Sequence, residues 1–148
     1  MYKQSNNGVP DEKLPTNRGL WKFILLNVIT LGIYGIVFFT KLGREVNDIA
    51  GPHDGKYTMH FCLLTFIIAP ITCGIAAIVW FHKVSARIGN DLAYRGISYN
   101  FSAFDFWLWN VAGTMILVGP LVYVFKLCKA MNLLSADYNV NGYAVVRD

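Results

Sequence analysis

Three long runs without Asp, Glu, Lys or Arg constrain this chain more than any other feature. They cover 18 residues (23–40), 25 residues (57–81) and 20 residues (106–125). About 20 helical residues, rising ~1.5 Å each, cross a hydrocarbon core of ~30 Å. Each run is therefore long enough to span a membrane as one helix.

The composition of these runs also favours a membrane. The first run holds 12 Leu, Ile, Val or Phe residues. At about −0.3 to −0.6 kcal/mol each on the insertion scale, they contribute roughly −4 to −7 kcal/mol. Only 15% of the chain is charged, against roughly 25% in soluble domains. This apolar, weakly charged composition excludes a disordered chain, a disulfide-framed secreted protein and a highly charged nucleic-acid binder. It predicts an integral membrane protein.

The chain repeats itself three times. Each run is followed by a basic residue and, three positions later, an asparagine, and these elements recur every 42 to 43 residues: Arg44 and Asn47, Arg87 and Asn90, Lys129 and Asn132. We therefore divide the chain into a flexible polar segment (1–18), a membrane domain of three repeats (19–51, 57–94 and 103–137) and a polar tail (138–148). Ser102 and Asp105 have the spacing of a capping box at the start of the third run.

The segment after each run has helical periodicity. Apolar residues fall on one stripe in each copy: Leu42, Val46 and Ile49; Val84, Ile88 and Leu92; Leu127, Met131 and Leu134. The predicted fold class is thus all-α, a multi-pass membrane protein with three repeats of hydrophobic helix plus short amphipathic helix. The apolar stripe either faces acyl chains or packs on neighbouring helices. The basic-x-x-Asn residues are the candidate contacts with headgroups or with a partner protein.

Each run also contains a potential break, at Thr30–Gly35, Ala69–Gly74 and Val118–Pro120. Two topologies follow: three spanning helices, or three re-entrant hairpins with all amphipathic helices on one side. Basic residues do not discriminate between them. Unpaired backbone amides at mid-membrane cost several kcal/mol each, and aromatic residues flank both ends of the runs. We therefore expect three spans, kinked at Pro70 and Pro120.

Catalytic chemistry is not indicated. The three histidines stand in no zinc-ligand spacing, the three cysteines form no C-x-x-C pair, and no nucleophile elbow or phosphate-binding loop occurs. We expect a non-enzyme without cofactor or metal, and buried, apolar-like cysteines. The polar residues inside the runs are Asn27, Thr65, Asn110 and His60. The first three are expected to form hydrogen bonds between helices or, alternatively, to line a small hydrophilic path.

Several motifs resemble the bacterial domain-of-unknown-function 4234 family. They are Leu14–Lys22 with Ile29–Gly35, Asp54–Lys56, Met59–His60, Trp80–Lys83, Phe106–Asn110 and Lys129–Leu134. The Thr-x-Gly-Ile-Tyr element is the most specific of them, intact at Thr30–Tyr34 and degraded at Thr72–Ala76. The resemblance implies a small bacterial integral membrane protein, and no activity or functional residue transfers with it.

Two functions remain open at this stage. The first is a non-catalytic scaffold, anchor or accessory subunit of the bacterial cell membrane, with basic amphipathic helices at the surface. The alternative is an oligomer that passes a small solute or ion. The expected partners are the lipid bilayer, including anionic headgroups, and a membrane protein or further copies of the chain, but no nucleic acid.

Overall fold

The computed structural model describes residues 13–141, without the side chains of Pro52 and His53, and no strand occurs in that range. The helices are α1 (Leu20–Ile29), α2 (Ile33–Asp54), α3 (Phe61–Leu63), α4 (Ala69–Ile71), α5 (Ile75–Tyr94), α6 (Ala103–Asp105) and α7 (Gly119–Asn141). Two π-helical segments (Leu64–Ile68 and Phe106–Val111) and a 3₁₀ helix (Ala112–Ile116) continue α3 and α6. The all-α prediction and the capping box at Ser102 are confirmed.

Each charge-free run folds back on itself. In the first two runs a three-residue turn separates the arms, at residues 30–32 and 72–74, and in the third the chain turns at residues 117–118. The prediction of one hydrophobic helix followed by a separate amphipathic helix is therefore wrong, because the second arm continues directly into the amphipathic segment. Pro70 and Pro120 each fall at the start of a helix, where the missing N–H is tolerated. Within residues 13–141 no helix combines the length and the apolarity needed to cross a membrane.

The first two turns satisfy their own backbone groups in the same way. The hydroxyl of Thr30 donates to the Leu26 carbonyl and accepts from the Tyr34 amide at 2.9 Å. Thr72 repeats this with the Ile68 carbonyl at 2.9 Å and the Ala76 amide at 3.2 Å. The amides of Gly32 and Gly74, both at positive φ, donate to carbonyls five residues earlier at 2.8 Å. This chemistry removes the unpaired amides that argued against hairpins.

The third hairpin closes differently. Gly119 packs so closely on Gly113 that a Cβ on Gly119 would overlap the Gly113 backbone and the Trp109 carbonyl oxygen. Leu117 adopts φ +62° and its amide donates to the Thr114 carbonyl at 3.0 Å. Close backbone approach through two glycines thus replaces the threonine-glycine turn.

The three long helices run in the same direction. Ser85 of α5 pairs with Tyr123 of α7 at 2.8 Å, and ten residues later Arg95 pairs with Asp137 at 2.8 Å. Arg95 also donates to the Ile49 carbonyl of α2 at 3.5 Å. Earlier in both helices, Arg87 contacts Asn47. Because α2, α5 and α7 each start directly after a turn, all three turns lie at one end of the molecule.

The predicted apolar stripes form the core between these helices. All nine residues of the stripes are at most 1% exposed. The stripes therefore pack on one another, which resolves the alternative that the sequence left open. Leu14 is buried beside them, and its amide and carbonyl both bond to Asn139. Residues 13–18 are thus held in place, whereas the rest of the predicted N-terminal segment, and the tail beyond residue 141, lie outside the described residues.

Candidate functional site

Each turn carries a cluster of exposed apolar side chains, and we call the three clusters together the apolar end. Its members are Val28, Ile29, Leu31, Ile33, Ile67, Ile71, Ile75, Met115, Ile116, Leu117 and Val118. Leu31 and Met115 are 93% and 91% exposed. Contiguous apolar surface of this kind marks a site of contact with a membrane or another protein.

One residue in each turn adopts a strained conformation. Leu31, Cys73 and Leu117 have φ of +53°, +51° and +62°, and they are the non-glycine residues at positive φ within residues 13–141. The left-handed region costs an L-residue about 1–2 kcal/mol, and Gly, Asn or Asp tolerates it best. A leucine is therefore costly at the tip of a hairpin in water. Strain of this type is commonly found at functional sites.

Charged residues stand in sequence at the ends of the three hairpins, and we call them the collar. They are the charged residues that flank the charge-free runs: Lys22, Lys41, Lys56, Lys83, Asp105 and Lys126. From Ile33 to Lys41, from Ile75 to Lys83 and from Gly119 to Lys126 the helices rise about 10–12 Å at ~1.5 Å per residue. Half of a hydrocarbon core of ~30 Å is about 15 Å. The second arms of the hairpins are thus a few ångströms shorter than the hydrocarbon thickness of one leaflet.

Exposed aromatic residues lie close in sequence to the collar. Trp21, Tyr57, Phe104 and Trp107 are all exposed. The indole N–H of Trp107 donates to Nδ1 of His82 at 3.0 Å, which fixes the ring at the surface. Trp and Tyr concentrate where hydrocarbon meets water.

Two of the three repeat asparagines hold the chain in front of a hairpin. Asn47 accepts from the Thr58 amide at 2.7 Å and donates to its carbonyl at 2.9 Å. Asn132 binds Arg18 in the same way, at 3.0 Å and 2.8 Å. Asn90 is exposed, and at its repeat position the backbone of Phe101 packs directly on Gly89 instead. Asn47 therefore positions the second hairpin and Asn132 positions the first, and neither residue is fully exposed.

The three repeat cations lie in different surroundings. Arg87 is buried and binds Asp54 through two nitrogens, at 2.8 Å and 3.1 Å, while its third nitrogen donates to Thr58 and Asn47 at 2.6 Å. It is a structural residue rather than the expected interfacial one. Arg44 is exposed. Lys129 is also exposed and lies over the ring of Tyr99 at 5.1 Å.

Two other arginines link the long helices and were not predicted from the sequence. Arg95 is buried and pairs with Asp91 at 2.8 Å and with Asp137 at 2.8 Å. Arg18 pairs with Glu45 and also donates to Ser135 at 3.2 Å. Neither arginine occupies a repeated motif, so no sequence signal distinguishes it from a solvated residue.

The polar residues within the runs do not come together. The Asn27 side chain joins α1 to α2 by accepting from the Gly35 amide at 2.8 Å, as expected of a hydrogen bond between helices. The Thr65 hydroxyl donates to the Phe61 carbonyl of its own helix at 2.9 Å. Within residues 13–141 no hydrogen bond joins any two of Asn27, Thr65 and Asn110. His60 is exposed immediately before α3.

The cysteines and acidic residues show no site for a metal. Cys128 is buried as expected and Cys62 is half-buried, but Cys73 is exposed at the second turn, contrary to the prediction of burial. Among the described residues no group of three or more His, Cys, Asp or Glu side chains is arranged to hold a metal ion.

A cavity of about 250 Å³ lies beside the first hairpin at the level of the collar, between the residues preceding α1 and the first part of α2. Lys22, Lys41 and Arg18 line it, together with Glu45. Burial raises the pKa of Glu45 above its ordinary value, and the neighbouring charge of Arg18 lowers it again in part.

Comparison with known families gives one match. The profile of a domain of unknown function (DUF4234) matches residues 18–90, which cover the first two hairpins and most of α5. No curated protein and no solved structure matches the chain.

Proposed function

This chain belongs through residues 18–90 to the DUF4234 family, and we propose that it is a non-catalytic membrane protein that inserts its three hairpin turns into one leaflet of the bacterial cell membrane. The ends of α2, α5 and α7 that lie opposite the turns, which we call the polar end, then remain in water. In this arrangement the protein is an anchor or scaffold, whose polar end is available to partner proteins.

The apolar end carries this proposal. Its exposed side chains surround all three turns, and the turns lie on the same side of the helix bundle. Burial of apolar surface contributes about 25 cal/mol per Å². Transfer of the Leu31 and Leu117 side chains into lipid would account for their exposure, and it would offset the backbone strain at their positive φ without relieving it.

The turn chemistry removes the main objection to re-entrant insertion. The hydroxyls of Thr30 and Thr72 and the amides of Gly32 and Gly74 are paired inside their own hairpins. At breaks in membrane helices, Ser and Thr side chains satisfy freed backbone groups in the same way.

The depth of the second turn tests the insertion. A Cys62→Ser/Cys128→Ala variant leaves Cys73 as its single thiol, to which a fluorophore is attached before reconstitution. We expect lipids brominated near the chain ends to quench this fluorophore more strongly than lipids brominated near the headgroup. A second variant that carries its only cysteine at Val140, an exposed residue near the far end of α7, is the control and should be quenched by neither lipid. Equal quenching at the two positions would reject the proposal.

The scaffold role is tested at the polar end. Arg44 and Lys129 are exposed there, and charge reversal to Glu at both positions should change the pattern of proteins crosslinked to this chain in native membranes. Asn90→Gln is the control, since this residue is exposed as well but carries no charge. An unchanged pattern after charge reversal would count against docking through these cations.

A further inference from the structure

We propose that the cavity beside the first hairpin binds the phosphate group of an anionic phospholipid headgroup. This inference rests on the proposed insertion of the hairpins, because only then does the cavity lie among lipid phosphates. Its volume of about 250 Å³ is slightly below the ~300–1,000 Å³ of pockets that hold a whole drug-sized ligand. The cavity therefore suits a headgroup rather than an entire lipid.

The charge of the lining favours an anion. Arg18 pairs with Glu45 and also donates to the buried Ser135. Lys22 and Lys41 are exposed, and within residues 13–141 neither is paired with a carboxylate. Three cations and one carboxylate line the cavity, which gives the lining a net charge of +2, although the charge of Lys41 also acts on the Glu45 carboxylate. Gly19, which precedes the first turn of α1 and has no side-chain cap, also lines it, so the positive end of that helix adds to the field.

The position of the lysines matches that of a lipid phosphate. Lys22 is the last charged residue before the first run, and Lys41 is the first one after it. Val37 and Phe38 line the same cavity on the side of the apolar end, where acyl chains would begin. A lysine stem lies along apolar surface while its ammonium group stays among the headgroups.

The second hairpin provides an internal comparison. A cavity of about 290 Å³ occupies the equivalent place, with Val79, Trp80 and Lys83 at the positions of Val37, Phe38 and Lys41. The second cavity has no lysine at the place of Lys22, and Thr58 lies where the first cavity has Arg18. Only one cation therefore lines it, which predicts weaker binding of phosphate there.

Native mass spectrometry of the protein in a neutral detergent tests the inference. Wild type is titrated with dioleoylphosphatidylglycerol, with dioleoylphosphatidylcholine and with inorganic phosphate, and bound molecules are counted. The test variant is Lys22→Gln/Lys41→Gln. The matched control is Lys56→Gln/Lys83→Gln, which removes the same charge near the second hairpin. Lys22→Arg/Lys41→Arg keeps both charges.

We expect wild type to retain phosphatidylglycerol in preference to phosphatidylcholine. The test variant should bind it about 30-fold more weakly, which corresponds to ~1 kcal/mol for each lysine near an anionic headgroup. The matched control should stay within about two-fold of wild type, and the arginine variant should bind normally. An unchanged unfolding temperature of the test variant shows that its loss of binding is not a loss of structure.

Three results would overturn the inference. One is an equal loss in the test variant and the matched control, which indicates diffuse charge. Another is an unchanged affinity in the test variant. The third is inorganic phosphate that binds as tightly as the lipid, which makes free phosphate the ligand. Each of these leaves the quenching of Cys73 unaffected, so failure here is distinguishable from failure of membrane insertion.

Discussion

Replacing the residue at the tip of each hairpin by aspartate should release the protein from membranes. The variant Leu31→Asp/Cys73→Asp/Leu117→Asp changes one residue per turn, each at positive φ. Aspartate tolerates this region of backbone conformation better than leucine does. The folded helices should therefore survive the changes, so the effect should appear in partitioning rather than in structure.

The magnitude follows from the depth of the turns. They lie about 10–12 Å beyond the collar at ~1.5 Å per residue, close to the bilayer centre, where an aspartate costs about 2.5–3.5 kcal/mol. The lost leucine contribution adds roughly 0.3–0.6 kcal/mol at two of the positions. Three substitutions thus cost about 8–12 kcal/mol, which is a decrease of roughly a million-fold or more in the partition constant.

Flotation with vesicles of neutral phosphatidylcholine measures this effect without a contribution from anionic lipid. The charge-matched control is Ala93→Asp/Ala136→Asp/Val140→Asp. These three exposed positions lie near the C-terminal ends of α5 and α7, far from the turns. Wild type and control should float, while the tip variant should stay in the dense fraction with unchanged helical circular dichroism. A tip variant that floats with wild type would refute the reasoning.

Three further predictions concern stability in detergent. Gly119→Ala should lower the free energy of unfolding by about 1–3 kcal/mol, because its Cβ would overlap the Gly113 backbone, whereas Gly51→Ala, with its nearest contact at 3.8 Å, should not; denaturant titration compares them. Arg87→Gln should lower the free energy of unfolding by about 3–5 kcal/mol, because it removes the bidentate partner of Asp54. The exposed Arg44→Gln should lower it by less than about 0.5 kcal/mol. A similar loss in both variants would contradict the structural role of Arg87. Burial raises the pKa of Asp48, and Arg44 offsets part of the rise. The unfolded chain therefore ionises first as pH increases, folded stability falls above pH ~3.9, and Asp48→Asn should unfold at a higher temperature than wild type at pH 7 but at the same temperature at pH 3.

The helical class, the repeats and the stripes were predictable because they depend on local patterns. Leu42, Val46 and Ile49 lie on one helix face whatever that face contacts, so periodicity identified the face correctly. It did not identify the contact, because an apolar stripe is equally suited to lipid and to a neighbouring helix. The parallel packing of α2, α5 and α7, which buries the stripes, depends on pairs such as Arg95 and Asp137 that are 42 residues apart.

The turns were only partly predictable. Thr30–Gly35 and Ala69–Gly74 were recognised as possible breaks, but the estimate of their cost assumed unpaired amides. That cost did not include the hydroxyls of Thr30 and Thr72, which in the structure donate to freed carbonyls and accept from freed amides. In the third run the turn falls at Leu117 rather than at Pro120, because Pro120 suits the first turn of α7.

The candidate site shows the same limit. Repeated spacing drew attention to Arg87 and Asn47, yet a repeat records a shared structural need as readily as a shared surface. Their contacts with Asp54 and Thr58 hold the hairpins in register. The apolar end was not predicted, because its residues lie inside runs that were expected to span the membrane as single helices.

Accessibility of the polar end tests the central claim most directly. Single cysteines at Arg44, Asn90 and Ala136, all exposed positions of the three long helices, are introduced into a cysteine-free background. They are then labelled with a membrane-impermeant maleimide in intact bacterial cells and in inverted vesicles. Insertion of three hairpins from one side predicts that all three positions react in the same preparation. Labelling of Asn90 from the face opposite to the other two would show that the runs cross the membrane, and would contradict the account.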